Sequence, residues 1–134
     1  MGWHSHYTNG YRIGGAGGGA IRLEANSITL GGQILANGGN GINNGNWDGA
    51  GGAGGSIWIV AQTFNSDEYV AGNISANGGN THDSNTSSSD SGSGGGGGRI
   101  AIDVVTDNYT GAVLVEPGVG YEGGDLPQAG TLVR

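Results

Sequence analysis

The chain has no cysteine, no lysine, two prolines and one phenylalanine in 134 residues. Without cysteine no disulfide can staple the fold, and thiols say nothing about the redox compartment. Without lysine the only cations are Arg12, Arg22, Arg99 and Arg134, which against eleven carboxylates leave a formal charge of −7. Such a surface repels phosphate backbones and anionic lipid, so neither nucleic acid nor a membrane surface is an expected partner. No apolar run approaches the roughly 18 residues of a spanning helix, so membrane insertion is not expected either. The opening "MGWHSHYTNG" carries neither the basic nor the apolar region of a secretory leader. A secreted chain is expected to read this way as a mature form or as a segment of something longer.

What the chain does have is glycine, 33 residues of it. With proline this makes about a quarter of the composition, at the border of the range in which aperiodic sequences are disordered. Hydrophobic residues at 34% and charged residues at 11% do not match the charge-rich, apolar-poor signature of disordered chains. Pattern therefore decides, and the pattern is internal repetition.

Glycine runs open three units: "GGAGGGAIRLEA" from Gly14, "GGAGGSIWIVA" from Gly51 and "GGGGGRIAIDV" from Gly94. Each run leads into a strand with period-two alternation. Ile21, Leu23 and Ala25 recur as Ile57, Ile59 and Ala61, then as Ile100, Ile102 and Val104. One face of each strand points inward, and Arg22/Trp58/Ala101 and Glu24/Val60/Asp103 become outward columns. A second short strand follows, introduced by Gly32, Gly72 or Gly111, with Ile34 and Ala36 matched by Ile74 and Ala76 and by Val113 and Val115. The two strands lie farther apart in the middle unit, and "NSDE" at 65–68 reads as a four-residue insertion on an outer turn. Polar loops, "NGINNGNWDGA" and "NTHDSNTSSSDSGSG", separate the units. "AGTLVR" at 129–134 reads as the opening strand of a fourth.

Units of roughly 36 to 43 residues, too small to bury their own apolar sides, predict an all-β fold: a short parallel β-helix (solenoid) of about three rungs, with glycine-rich turns or stacked glycine runs. Residues 1–13 read as a lead-in or cap. Residues 14–134 read as one solenoid domain, with rungs near 14–50, 51–93 and 94–128 and the start of a fourth at 129–134. "ANGGN", at 36–40 and again at 76–80, is one corner used twice. Asn37 is expected above Asn77 with their amides in a ladder, and the glycines are expected at positive φ. The third unit reads "VEPGVG" there, so the ladder is expected to stop after two rungs; Pro117, lacking an N–H, suits an edge rung. The glycine runs recur in register, so they read as packed, polyproline-like backbones rather than linkers, with Gly96 at a point of closest approach.

Taken together, "GGAGGGAIRLEA", "GGAGGSIWIVA", "ISANGGN" and "GGGGGRIAI" resemble the glycine-rich repeats of large secreted and cell-surface proteins of bacteria and some protists. The likeness covers about residues 14–134. It implies a right-handed β-helix in an extracellular or cell-surface setting, as a stalk, adhesive segment or matrix component, and it carries over no catalytic residue. The expected function is a non-catalytic structural repeat of a stalk, fibril or matrix, partnered by copies of itself or adjoining repeats and assembling end to end through open strand edges. The alternative is a carbohydrate-binding or adhesive module.

Candidate chemistry is sparse. Glu24 and Asp103 share an outward column, but Val60 between them implies about 9.5 Å, two strand separations, which reads as isolated solvated carboxylates rather than an acid–base pair. Asp48 among Asn43, Asn44 and Asn46, with Asp83 and Asp90, are candidate calcium ligands. Calcium-binding repeats place Asp at a fixed point of the glycine phrase, however, and these phrases hold none, so no cofactor is expected. His4 and His6 are too few for a closed zinc site; with Met1 removed, His4 would stand third, an arrangement that takes copper. Trp58, Trp47 and Tyr69 are candidate binding residues, Trp58 first because period two turns it outward. Asn73, Asn85 and Asn108 match the N-glycosylation pattern, with Asn73 expected on an outward position. No catalytic residue is assigned and no enzyme is expected.

Overall fold

The computed structural model describes residues 13–42, 49–82, 92–120 and 126–134. The readings placed on His4, His6, Asn43, Asn44, Asn46, Trp47, Asp48, Asp83, Asn85 and Asp90 lie outside the described residues.

Among the described residues seven strands occur in chain order: β1 (Ala20–Leu30), β2 (Gln33–Leu35), β3 (Ser56–Ser66), β4 (Asn73–Ser75), β5 (Arg99–Asn108), β6 (Ala112–Leu114) and β7 (Thr131–Val133). They form two parallel sheets, β1-β3-β5-β7 and β2-β4-β6. There is no helix among the described residues, so the described chain is all-β. Pairing follows the sequence columns: Ile21, Ile57, Ile100 and Leu132 stand in one row across the larger sheet, and Arg22, Trp58, Ala101 and Val133 in the next. Ile34, Ile74 and Val113 align across the smaller one. β-branched side chains suit this half-buried pleated surface.

Between the sheets lies the apolar core. Ile57, Ile59, Phe64, Ile74 and Ile100 are fully enclosed. Ile21 and Leu23 of β1 are only partly buried and Ala25 is exposed, because among the described residues β1 has a neighbouring strand on one side only. The alternation also changes phase after Ala61: Phe64, not Thr63, turns inward. Tyr109 stacks on the Phe64 ring at 4.6 Å and 12° and closes that end of the core.

The four extra residues of the middle unit sit later than expected. β3 stays paired to β1 through Ser66, opposite Leu30, and the Asp67 N–H still donates to the Leu30 carbonyl. Asn73 already faces Gln33, so the insertion falls between Asp67 and Gly72. Asp67 Oδ1 accepts from the N–H groups of Tyr69 (2.9 Å) and Val70 (3.2 Å), which shapes the turn.

The glycine segments form two facing layers bonded to each other mainly through the backbone. One contains residues 14–19, 50–55, 93–98 and 128–130; the other contains 36–42, 76–82 and 115–120. Donors recur with period three, the period of a polyproline II chain, which has no internal hydrogen bonds and must find partners outside itself. In the middle unit, Gly51 and Gly54 donate to Ser93 and Gly96 of the next unit, whereas Gly52 and Gly55 donate across to Gly39 and Ala36. In the second layer Gly38 and Gly78 donate to the next unit, at Asn77 and Glu116, and Gly39 and Gly79 donate across, to Ala16 and Gly52.

The remaining donor of the second layer explains "ANGGN". Asn37 Oδ1 accepts the Asn77 N–H, and Asn40 Oδ1 accepts the Asn80 N–H, each at 2.8 Å. The expected amide-to-amide ladder is therefore a side-chain-to-backbone ladder. It also does not stop after two units, because Asn77 and Asn80 accept from Glu116 and Val119, each at 2.8 Å; an acceptor below needs only an N–H above.

Two further expectations are corrected. No described glycine has a φ in the left-handed region, so glycine is required here by close approach and not by backbone conformation. Nor is Gly96 at that approach: a Cβ there would rest 3.6 Å from the Gln128 carbonyl oxygen, an ordinary contact. Its neighbours differ, since a Cβ on Gly95 would stand 1.9 Å from the Gly52 oxygen and one on Gly97 2.1 Å from the Val115 oxygen. Gly96 holds the outward third of the repeat, the place of Ala53 in the unit before.

Gly95→Ala is expected to cost about 3 kcal/mol or more, since backbone must move to admit the methyl. Gly96→Ala is expected to fall within about 1 kcal/mol of wild type, on the stabilising side, by narrowing the unfolded ensemble. Thermal unfolding of the two variants side by side checks this; equal melting temperatures would refute the period-three assignment.

A clasp joins β5 to the last described residue. The Arg134 guanidinium donates to both oxygens of Asp107 and to the Tyr109 carbonyl. The hydrogen bond from Arg134 holds the Asp107 carboxyl below its usual value against a smaller opposing effect of burial. A depressed native pKa contributes stability above the unfolded value, near 3.9, and that contribution is lost as pH falls through the lowered native value. Arg134→Gln is accordingly expected to lower the melting temperature at pH 7, with the difference from wild type narrowing in strong acid to what the bond to the Tyr109 carbonyl contributes. Melts across pH 2–7 measure this, and a difference independent of pH would exclude the ion pair as its source.

Candidate functional site

The outward face of the larger sheet carries the chain's most distinctive exposed side chains, because β1, β3, β5 and β7 lie in register and every second residue points away from the core. Trp58 is 44% exposed on this face. From the β1 side, the Arg22 guanidinium lies over its ring at 4.6 Å. Arg22 is itself held by Glu24 at 2.7 Å. A cation over an exposed indole is worth about 0.5–1 kcal/mol, enough to orient the ring.

On the β5 side of Trp58 stands Ala101, and beyond it, on β7, Val133. A small residue between two larger ones leaves a groove of about 660 Å³. Trp58 and Val133 wall it, Ala101 floors it, and Arg99 and Asp103 flank it along β5. Glu24 and Asp103 border a second shallow groove; Val60 separates them in the register, two strands apart. Among the described residues no three His, Asp or Glu side chains converge as metal ligands would.

Trp58 and Tyr69 do not form one site. β3 runs on for eight residues from Trp58 to Ser66, about 26 Å of extended chain, before the turn that presents Tyr69 at 86% exposure. Trp47 lies outside the described residues. Asn73, expected on an outward position, is half-buried with its Oδ1 enclosed, since β4 is covered on both sides by β2 and β6. Asn108 is exposed, and its Nδ2 donates to Asn65 Oδ1 at 3.0 Å; Asn85 lies outside the described residues. Arg99 and Val133 had not been singled out. Their signal was the register of "AGTLVR" with "RIAIDV", which sets Val133 beside Ala101.

No family model matches the chain, and no curated protein or solved structure matches it either.

Proposed function

We propose that the chain is a non-catalytic structural repeat whose units wind as successive coils of a right-handed parallel β-solenoid, serving as a rigid element of an extracellular stalk or matrix. The observation that carries this reading is the bonding of the glycine layers. Each unit is tied to the next and to the opposite layer through main-chain donors, a use of sequence that creates stiffness and regular spacing. Right-handed winding is the strongly preferred hand for connections between parallel strands. The extracellular setting rests on the resemblance of the repeats to those of secreted and cell-surface proteins.

Rigidity has a direct readout. In native-state hydrogen exchange the amides of Gly52, Gly79, Gly95 and Gly118 are expected to exchange as slowly as those of Ile57 and Ile100, by global opening. Exchange at the rate of a solvated loop would overturn the reading. For location, antibody raised against the folded protein is expected to label intact source cells or their surrounding matrix; labelling only after permeabilisation would refute the extracellular assignment.

The groove beside Trp58 supports a second reading, as a saccharide-binding or adhesive face. An indole wall, an apolar floor and flanking Arg99 and Asp103 suit a sugar ring stacked on its apolar side with its hydroxyls directed along β5. Binding on a glycan array is then expected to be lost in Trp58→Ala and in Ala101→Phe, which fills the groove without altering the core face. Binding that survives both changes would exclude this site.

A further inference from the structure

The chain has four arginines and no lysine against eleven carboxylates, so each cation is conspicuous. Arg12 lies outside the described residues. The other three all stand around the groove beside Trp58: Arg22 lies over the indole ring, and Arg99 and Arg134 line the groove. Two of these are neutralised, Arg22 by Glu24 at 2.7 Å and Arg134 by Asp107. Arg99 is exposed and has no carboxylate partner among the described residues. An acidic surface thus carries one uncompensated guanidinium, and it faces a groove.

Along β5 the outward positions are Arg99, Ala101 and Asp103, and the groove changes character with them. In the row of Arg99 stand Ser56 on β3 and Thr131 on β7, so this end offers guanidinium N–H donors beside two hydroxyls. The middle row, Trp58, Ala101 and Val133, is apolar. At the far end Asp103 is exposed and, like Arg99, without a partner among the described residues; an ionised carboxylate there only accepts. Four residues of strand separate Arg99 from Asp103, about 13 Å, a span that suits two linked sugar rings better than one.

We propose that this groove takes an acidic oligosaccharide in which a carboxylate-bearing sugar, a uronic acid, alternates with a neutral one. The proposal rests on the saccharide reading of the groove and adds its charge pattern. The uronate carboxylate accepts from Arg99 in the fork geometry that a guanidinium offers a carboxylate, with the Ser56 hydroxyl beside it. The apolar side of the ring lies against Trp58 and Ala101. Hydroxyls of the adjoining neutral sugar donate to Asp103. A carboxylate on that second sugar would meet the like charge of Asp103, a juxtaposition that discriminates against it. The net charge of −7 also repels a polymer with an anion on every unit. An alternating chain places one carboxylate at Arg99 and spares Asp103.

Glycan-array binding and titration calorimetry test this with four sets of tetrasaccharides: alternating uronic acid and neutral sugar in several linkages, the same compounds with the carboxylates reduced to alcohols, uniform uronates, and sulfated neutral chains. Wild type is expected to bind an alternating compound at least about tenfold more tightly than its reduced counterpart, the uniform uronate or the sulfated chain. Circular dichroism and thermal melts establish that each variant is folded. Arg99→Gln is expected to bring the acid and reduced forms to equal affinity, Asp103→Asn to admit the uniform uronate, and Trp58→Ala to weaken acid and reduced forms alike. Equal binding of acid and reduced forms by wild type, a preference for the acid that survives Arg99→Gln, or tighter binding of the sulfated chain would overturn the charge pattern and leave the saccharide reading standing. Binding to none of the compounds would overturn both.

Discussion

A carbonyl oxygen of one glycine chain lies where the Cβ of the next would be, and most of the architecture depends on that spacing. Chains this close can bond one another through the main chain alone, across the layers and from unit to unit. They can do so only if two positions in three carry no side chain, which leaves the third free for Ala53, Ser93 or Asn77. Glycine loses more conformational freedom on folding than any other residue, and a main-chain hydrogen bond contributes only about 1 kcal/mol net. The layers are therefore poorly placed to fold by themselves. Their ordering is tied to the apolar half, where the same chains continue as β1, β3 and β5 and enclose Ile57, Ile59, Phe64, Ile74 and Ile100.

The two halves differ in what they demand of sequence. The apolar half tolerates variation of shape: Ile100 meets Leu132, and Ala61 meets Val104. The glycine half tolerates none where units stack on both sides, as at Gly52, Gly54 and Gly95. Neighbouring strands are joined across at least 32 residues of chain, as Arg99 to Thr131 shows, so closure is non-local throughout, a topology that folds slowly relative to local ones.

Period two was legible in the sequence wherever the alternation ran unbroken, which is why the rows of Ile21 and Arg22 could be assigned residue by residue and Trp58 turned outward. It failed after Ala61, where the strand changes phase; neither Phe64 nor its stacking partner Tyr109 can be seen as core from parity alone. The insertion was misplaced because "NSDE" is polar, while Asn65 and Ser66 in fact complete β3. The glycines misled for a different reason. Their usual role, access to positive φ, is not the one used here, and steric closure depends on which of three directions each Cα faces. That phase shows only when "AGGAGGS" is read as two closed positions followed by one open. Within the candidate site, the separation of Trp58 from Tyr69 followed from strand length, and the far wall at Val133 from a register that a six-residue match only suggests.

The ladder of the second layer bears on how the molecule ages. Asn37 and Asn77 are each followed by glycine, the pair most prone to spontaneous deamidation, in which the nitrogen of the following residue attacks the side-chain carbonyl and closes a five-membered ring. In the folded protein that nitrogen, on Gly38 or Gly78, is already bonded to the next unit, and the Asn77 side-chain oxygen is held by Glu116. Nucleophile and electrophile are thus each engaged by the contacts that stack the units. The layer protects its own most perishable dipeptides for as long as it stays folded, and peptide mapping of native against denatured protein after prolonged incubation would register the difference.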